Sequence, residues 1–114
     1  TERAIRELLF NALEHARSGT VVQLTIRGGR SADYVEIEVL NQGVGVSNEI
    51  KAHIFLPFVS LRSTGEGHGI GLAVVRRVCV LHGGIAIECG TPGQSACFVM
   101  RIPRDPVRQT LSCE

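Results

Sequence analysis

Hydrophobic side chains recur along the chain with two different periods, one typical of helices and one typical of strands. Between residues 2 and 16 the apolar positions have helical spacing: Ile5, Leu8, Leu9, Ala12, Leu13 and Ala16. A second apolar stretch runs from Gly69 to His82 and is followed by Gly83-Gly84, a pair typical of a helix end. The spacing therefore predicts an amphipathic helix that ends near Ser18-Gly19 and a second, largely buried helix.

Four shorter stretches alternate between apolar and polar residues, as strands with one buried face do. Their apolar positions are Val22, Leu24 and Ile26; Val35, Ile37 and Val39; Ile85, Ile87 and Cys89; and Phe98, Met100 and Ile102. The turn-forming segments GGRSAD and TPGQS join these stretches into two adjacent pairs, and Pro103 ends the last one. A short helix over residues 47 to 54, with Ser47 as its N-cap, is also predicted.

These elements predict a fold of the α+β class. Two long helices and four one-face strands fit a two-layer α/β sandwich, with the helices on one face of a largely antiparallel mixed sheet. We expect residues 1–103 to form one domain and residues 104–114 to be a tail, because the periodicity is lost after Pro103.

Composition and charge agree with a soluble domain and exclude several classes of function. The 114 residues are 44% hydrophobic and 20% charged, and the net charge of +1 comes from scattered residues, so no nucleic-acid partner is indicated. No apolar run reaches the length of a membrane span, and the first residues do not resemble a secretory signal. We expect a monomeric cytoplasmic fragment, whose parent protein is either soluble or membrane-anchored.

The four cysteines, Cys79, Cys89, Cys97 and Cys113, form no CxxC pair. The first three lie inside apolar helix or strand patterns. We therefore expect small buried hydrophobic side chains in a reducing compartment rather than zinc ligands.

Three polar residues, Glu7, Asn11 and His15, follow one another at intervals of four on the first predicted helix. This spacing puts them on one strip beside the apolar face. The strip is either a solvated flank or the edge of a site. Asn11 slightly favours a site, because an amide next to a buried stripe needs a hydrogen-bond partner.

Two glycine-bearing segments are further candidates for ligand contact. NQGVGV, residues 41 to 46, follows a strand, and GEGHGIG, residues 65 to 71, precedes the second long helix, whose first amides suit phosphate oxygens. A plain turn and a flexible hinge remain the alternatives. The spacings of the Rossmann fingerprint, the P-loop and the GxSxG nucleophile elbow are all absent from the sequence.

Four segments in order resemble the conserved boxes of histidine-kinase catalytic domains. ELLFNALEHA resembles the N box, NQGVGV the first glycine box, IFLPF the F box, and GHGIGLAVVRRVCVLHGG the second glycine box. These domains belong to the superfamily of gyrase, heat-shock chaperone, histidine kinase and mismatch-repair ATPases, also called the GHKL or Bergerat-fold ATPases. The resemblance implies ATP held between helices under a mobile lid, here residues 59 to 68.

The N-box resemblance implies a role for each residue of the polar strip. Asn11 matches the asparagine that ligates the Mg²⁺ bridging the ATP phosphates. Glu7 matches a carboxylate that acts as general base, and His15 a polar residue that flanks the phosphates. Glu7 and Asn11 are thus the implied catalytic pair.

The glycine boxes and the lid imply the remaining nucleotide contacts. Beside adenine they are Asn41, Gly43, Gly45 and Val46. Around the phosphates they are Arg62, Gly67, His68, Gly69, Ile70, Gly71 and Leu72. Two positions depart from the family pattern: Asn41 stands where an adenine-binding aspartate is usual, and Ser95-Ala96 where a Gly-Thr pair is usual.

The resemblance implies a catalytic domain that binds Mg²⁺-ATP and transfers the γ-phosphoryl group to a histidine on a separate dimerisation domain of the parent protein. A response regulator is then the partner downstream. No histidine of this chain stands in a phosphoacceptor pattern, so the fragment is not expected to complete the reaction alone. The alternatives are an anti-sigma-type serine kinase of the same superfamily and a degenerate nucleotide-binding or interaction module.

Overall fold

A computed structural model describes residues 2–28, 33–51, 53–56 and 71–104 of the chain. In chain order its elements are α1 (Glu2–His15), β1 (Gln23–Arg27), β2 (Tyr34–Gln42), α2 (Asn48–Lys51), α3 (Gly71–Leu81), β3 (Ile85–Glu88) and β4 (Ser95–Pro103). Both long helices and all four strands lie where the periodicity predicts them. The α+β class is confirmed.

The four strands form one sheet in the order β1-β2-β4-β3. The two hairpins, β1 with β2 and β3 with β4, are those that the turn segments predict. They are joined by the long central pairing of β2 with β4, in which Val39 lies opposite Phe98 and Asn41 opposite Ala96. Every pairing among the described strands is antiparallel, so the parallel component that a mixed sheet would include does not occur among them.

The core lies between one face of the sheet and the two long helices, which pack against each other. The buried residues of α1 are Ala4, Leu8 and Ala12, those of α3 are Leu72, Val75 and Cys79, and those of the central strands include Ile37, Val39, Phe98 and Met100. The helical residues recur at intervals of three or four and the strand residues at intervals of two, as each geometry requires. Truncating a side chain such as Leu8, which is 1% exposed, to Ala costs about 2 to 5 kcal/mol of stability.

The short helix α2 begins at Asn48, directly after Ser47, and is shorter than the predicted span. The backbone carbonyl of Ser47 accepts hydrogen bonds from the amides of Ile50 and Lys51, at 3.2 and 3.1 Å. After α2, the ring of Phe55 stands edge-on to the ring of Phe98, with 6.0 Å between centroids. This contact fixes the segment after α2 onto β4.

The face assigned to β3 by alternation is wrong. Ile85 and Ile87 are 50% and 41% exposed, whereas Ala86 lies opposite Met100 and packs against the core. The small Ala86 fits under the helices, and the bulkier isoleucines occupy the opposite face of the sheet beside Val99. For the same reason Cys89 is exposed, which corrects the expectation that it is buried, while Cys79 and Cys97 are buried as expected.

The face of the sheet away from the helices carries charged pairs as well as apolar residues. Arg101 donates through Nε and Nη2 to one oxygen of Glu36, at 3.1 and 2.9 Å, and its guanidinium lies 5.8 Å from the centre of the Tyr34 ring. Arg27 pairs with Glu38 at 3.2 Å. The second pair is exposed to solvent, and such a pair contributes at most about 1 kcal/mol. Among the described residues no helix has the length and apolarity needed to cross a membrane.

Candidate functional site

The central strand β2 carries a buried amide toward the helices. Asn41 is 1% exposed and continues the row of Ile37 and Val39 on the core side of the sheet. Both its Oδ1 and its Nδ2 are buried without a hydrogen-bond partner among the described residues. An unsatisfied buried amide costs roughly 1 to 3 kcal/mol. The position therefore fits a residue whose partner is a ligand with both donor and acceptor groups.

The opposite strand leaves the space beside Asn41 apolar. Ala96 lies directly across from Asn41 and is 3% exposed. The neighbouring Ser95 turns its hydroxyl into the β3–β4 turn, where Oγ accepts a hydrogen bond from the amide of Thr91 at 3.2 Å. The Ser95-Ala96 pair that departs from the family pattern thus stands beside the predicted adenine-reading residue and directs no hydroxyl toward it.

The helix α1 carries a second buried amide nitrogen without a hydrogen-bond partner among the described residues. Nδ2 of Asn11 is buried and has no partner within the described part of the chain. The end of α1 contacts the loop after β2 that carries Gly43 and Gly45, called the glycine loop below. A Cβ on Gly43 would overlap the backbone oxygen of His15 and would lie 3.4 Å from Nδ2 of Asn41. His15, which is half-buried, thereby contributes its backbone to the packing around Asn41.

The glycines of residues 43 to 45 are required by the packing of the loop itself. Gly45 has a φ of +75°, and a Cβ there would lie 2.5 Å from the carbonyl oxygen of Ser95. The loop is tied to the β3–β4 turn by two backbone hydrogen bonds, from Gly43 to Gln94 at 3.0 Å and from Gly93 to Val44 at 2.6 Å. The loop and the turn therefore form one unit under Asn41.

The start of α3 lies against the polar strip of α1. A Cβ on Gly71, the first residue of α3, would lie 2.6 Å from Oε1 of Glu7. The side chain of Glu7 is 28% exposed and its Oε2 is 3.9 Å from Nε of Arg3. A carboxylate is favoured beside a helix N-terminus, where the helix dipole is positive. Glu7 is thus held next to the amides that are predicted to bind phosphate.

Two predicted contact residues are part of the core. Val46 is 0% exposed and Leu72 is 9% exposed, and both belong to the main apolar cluster. Both side chains therefore expose little surface to a ligand. The predicted lid, residues 59 to 68, and the predicted phosphate contacts Arg62, Gly67, His68, Gly69 and Ile70 lie outside the described residues.

The residues present fit a Mg²⁺ ion held through oxygen atoms. Glu7 offers a carboxylate and Asn11 an amide oxygen, four residues apart on α1, and oxygen donors are what this hard cation takes. In the described ranges no group of three or more His, Cys, Asp and Glu could hold a metal by itself. A Mg²⁺ ion here would therefore need further oxygen atoms from the nucleotide.

Sequence reasoning missed a buried carboxylate, Glu88, that links α2 with the β3–β4 turn. The side chain of Glu88 is 0% exposed and accepts hydrogen bonds from the amides of Gly90 and Cys97, at 2.8 and 3.0 Å, and from Nζ of Lys51. Lys51 also donates to the carbonyl of Gly90 at 3.1 Å. A glutamate inside an apolar strand pattern was the available signal. These bonds fasten α2 and the β3–β4 turn together, beside a cavity of about 390 Å³ that the predicted site residues do not line.

Comparison with known proteins assigns the class. Residues 1–106 match the family described as histidine kinase-, DNA gyrase B-, and HSP90-like ATPases, and the chain belongs to this family. Within it, the chain is an ATP-binding catalytic domain of the sensor histidine kinase type. The expectations from the ordered boxes on family, fold and domain function are thereby confirmed.

The similar proteins are sensor kinases. The chain is 36% identical over 109 residues to the adaptive-response sensory kinase SasA of Parasynechococcus marenigrum (strain WH8102), a match that covers 90% of this chain and 28% of the relative. It is 38% identical over 102 residues to the alginate biosynthesis sensor protein KinB of Pseudomonas aeruginosa, covering 90% of this chain and 17% of the relative. The chain thus spans less than a third of either protein.

The solved structures agree with this assignment. The nucleotide-free catalytic domain of the histidine kinase ThkA superimposes with a TM-score of 0.77 at 25% identity, covering 93% of this chain and 67% of that one. Full-length ShkA in complex with AMPPNP gives a TM-score of 0.73 at 32% identity, covering 90% of this chain and 22% of that one.

Proposed function

We propose that this domain binds Mg²⁺-ATP between α1, α3 and the glycine loop and donates the γ-phosphoryl group to a histidine on a separate dimerisation domain of its parent protein. The parent then passes the phosphoryl group to a response regulator, on the cytoplasmic side of the cell. Membership of this ATPase family supports ATP as the ligand. The sensor kinases among the relatives support a histidine as the phosphoryl acceptor and a response regulator as the partner.

The observation that carries the proposal is the unpartnered amide of Asn41. Adenine offers an amino donor next to a ring-nitrogen acceptor, and a carboxamide offers an acceptor and a donor in the same plane. A bound adenine would satisfy both atoms at once and remove the cost of leaving them buried without partners. Ala96, which lies directly opposite on β4, supplies apolar surface beside this amide.

The phosphoryl groups are proposed to lie between the polar strip of α1 and the first turn of α3. Free amides at a helix N-terminus bind anions, and α3 begins at Gly71 beside Glu7. Mg²⁺, when bound through Asn11, supplies neutralisation of the phosphate charge. In this proposal Glu7 accepts the proton of the attacking imidazole, and the domain otherwise accelerates transfer by positioning the reacting groups.

The test is a titration of Mg²⁺-ATP into the wild-type chain, Asn11→Ala and a matched amide variant, Gln23→Ala. Gln23 is exposed on the edge strand β1, so its loss should leave the dissociation constant unchanged. Asn11→Ala should weaken binding by tenfold or more and remove most of its dependence on Mg²⁺. Equal affinities for Asn11→Ala and the wild type would contradict the N-box assignment.

A second candidate function is nucleotide binding without transfer, and the pair Asn41 and Ala96 favours it, because an aspartate and a hydroxyl are both missing beside adenine. Phosphoacceptor domains of the related sensor kinases, supplied with ATP labelled at the γ position, separate the two. Acid-labile label on an acceptor histidine supports the transferase. ATP binding without label on any acceptor supports the binding module instead.

A further inference from the structure

Two cysteines face each other across the β3–β4 hairpin. The register pairs Glu88 with Phe98, so Cys89 and Cys97 are the next opposite residues, and the amide of Cys89 donates to the carbonyl of Cys97 at 2.9 Å. Opposite residues of an antiparallel pair have Cα atoms roughly 4.5 to 5.5 Å apart. Disulfides accept about 4.4 to 6.8 Å. The backbone therefore already holds the two residues at a bridging distance.

Both thiols lie on the same face of the sheet. Cys97 alternates with Ala96 and Phe98, which point into the core, so its side chain points to the face away from the helices. Directly opposite residues share a face, so the two thiols lie on the same face of the hairpin. Glu88 anchors this end of the hairpin, since its carboxylate accepts the amide hydrogen of Cys97 at 3.0 Å.

The two thiols differ in their access to solvent. Cys89 is exposed, whereas Cys97 is 8% exposed. Burial raises the pKa of Cys97 to about 12, and the Cys89 thiol and the carboxylates of Glu38 and Glu88 act in the same direction. In the reduced protein Cys97 is thus mostly protonated and shielded from solvent, so an oxidant from solution meets Cys89 first.

We propose that Cys89 and Cys97 are a redox modification site, which small disulfides such as oxidised glutathione convert into a reversible intramolecular disulfide. The thiolate of Cys89 attacks one sulfur of the small disulfide, forms a mixed disulfide and releases one thiol. Cys97 loses its proton to solvent, attacks the sulfur of Cys89 and expels the second thiol. In sum two protein thiols are oxidised and one disulfide is reduced to two thiols, so no other reactant is needed.

The test treats the full chain carrying Cys113→Ser with oxidised glutathione, alkylates the remaining thiols and locates them by fragmentation in a mass spectrometer. Cys113 is replaced because it lies outside the described residues and offers another partner. Cys89 and Cys97 should escape alkylation together, with a mass lower by two hydrogen atoms and no bound glutathione. Cys79, a core residue of α3 whose pKa burial raises to about 11, should remain alkylatable after unfolding and serves as the internal control.

Two variants keep the test decisive. In Cys97→Ser the reaction should stop with glutathione on Cys89, and in Cys89→Ser, where the change is at an exposed position, both remaining cysteines should stay free. Dithiothreitol should return the oxidised chain to its original mass. Two results with the chain carrying only Cys113→Ser would overturn the proposal. One is glutathione retained on Cys89 while Cys97 stays free, and the other is a disulfide that forms only between molecules.

Discussion

At the residue scale, Asn41 is the residue that we propose reads the base of the nucleotide. We expect Asn41→Asp to bind ATP several-fold more tightly, because a hydrogen bond to a charged acceptor contributes about 1.5 to 3 kcal/mol against about 0.5 to 1.5 for a neutral one. The amide of the natural residue can also donate, so it can serve a guanine carbonyl, and discrimination between ATP and GTP should be poorer in the wild type than in the variant. Calorimetric titration of both nucleotides measures both effects.

The matched control is Gln42→Glu, which makes the same charge change at the next, exposed residue of β2 and should alter neither affinity. The burial of Asn41 adds a cost that the sequence did not reveal. A carboxylate there, without nucleotide, should lower the free energy of unfolding by on the order of 1 to 3 kcal/mol, and ATP should restore it. If affinity and base preference are the same in Asn41→Asp and the wild type, position 41 does not read the base.

Glu7 is expected to act in the transfer step and not in binding. Removing a general base slows its reaction by roughly a hundredfold or more, while a residue that acts on the acceptor contributes little to the resting nucleotide complex. Glu7→Gln should therefore retain the ATP affinity of the wild type and transfer phosphoryl far more slowly to a supplied acceptor domain at saturating ATP.

Glu2→Gln is the control for this prediction, since Glu2 is on the same helix with a side chain that is 90% exposed. It should transfer at the wild-type rate. If Glu7→Gln instead binds ATP more weakly and transfers at an unchanged rate at saturation, Glu7 either binds the metal or supports the contact between α1 and α3. Its position beside Gly71 also suits the second role.

At the scale of elements, the glycine loop and the β3–β4 turn depend on each other, and two glycines with similar backbones test this. Gly19 and Gly45 have φ angles of +84° and +75°, but a Cβ on Gly19 meets nothing within 4 Å whereas one on Gly45 would lie 2.5 Å from the oxygen of Ser95. Gly19→Ala should cost only the left-handed backbone strain, about 1 to 2 kcal/mol. Gly45→Ala should cost clearly more, on the order of 3 kcal/mol, because the turn must also move.

Urea unfolding of both variants measures the difference, with the slope of the transition as a check that the same surface is exposed. Equal losses for the two variants would mean that the turn yields easily and that the contact between Gly45 and Ser95 contributes no rigidity to the site.

The strands also show where sequence patterns stop being informative. Alternation predicted that the row of larger apolar residues in β3 faces the helices, and this is wrong. A period of two separates the two faces of a strand but does not fix which face is covered. In β3 the inner row is Ala86 and Glu88, and the glutamate is tolerated because Lys51 and two backbone amides satisfy it. Two of these three partners, Lys51 and the amide of Cys97, lie on other elements, so the local pattern around Glu88 did not indicate them.

At the scale of the whole molecule, the layer arrangement could be predicted and the strand order could not. Periodicity is a local signal, and it located both long helices and both hairpins. The pairing of β2 with β4 joins residues more than fifty positions apart, such as Asn41 and Ala96, and depends on packing that the sequence pattern does not encode. That pairing sets the surroundings of Asn41, so the burial of its amide emerged only in three dimensions.

The candidate site divides in the same way. Glu7, Asn11 and Asn41 were indicated by their order in the family boxes, because such boxes preserve the residues that touch a ligand. The glycines 43 and 45 were indicated by the same boxes, but their packing against His15 and Ser95 was not, since it arises from contacts between distant segments. The nucleotide contacts of all these residues, like those predicted between residues 59 and 70, stay predictions.

The hydrogen bonds between Val44 and Gly93 and between Gly43 and Gln94 bear on how the chain can be engineered. The segment Thr91-Pro92-Gly93 is exposed and rich in turn residues, and by composition it is the natural place for a peptide tag, a fluorescent-protein insertion or new termini in a circular permutant. Its backbone, however, supports the loop on which nucleotide recognition is proposed to depend. A tag inserted there would match the composition of the turn, but we expect it to weaken nucleotide binding.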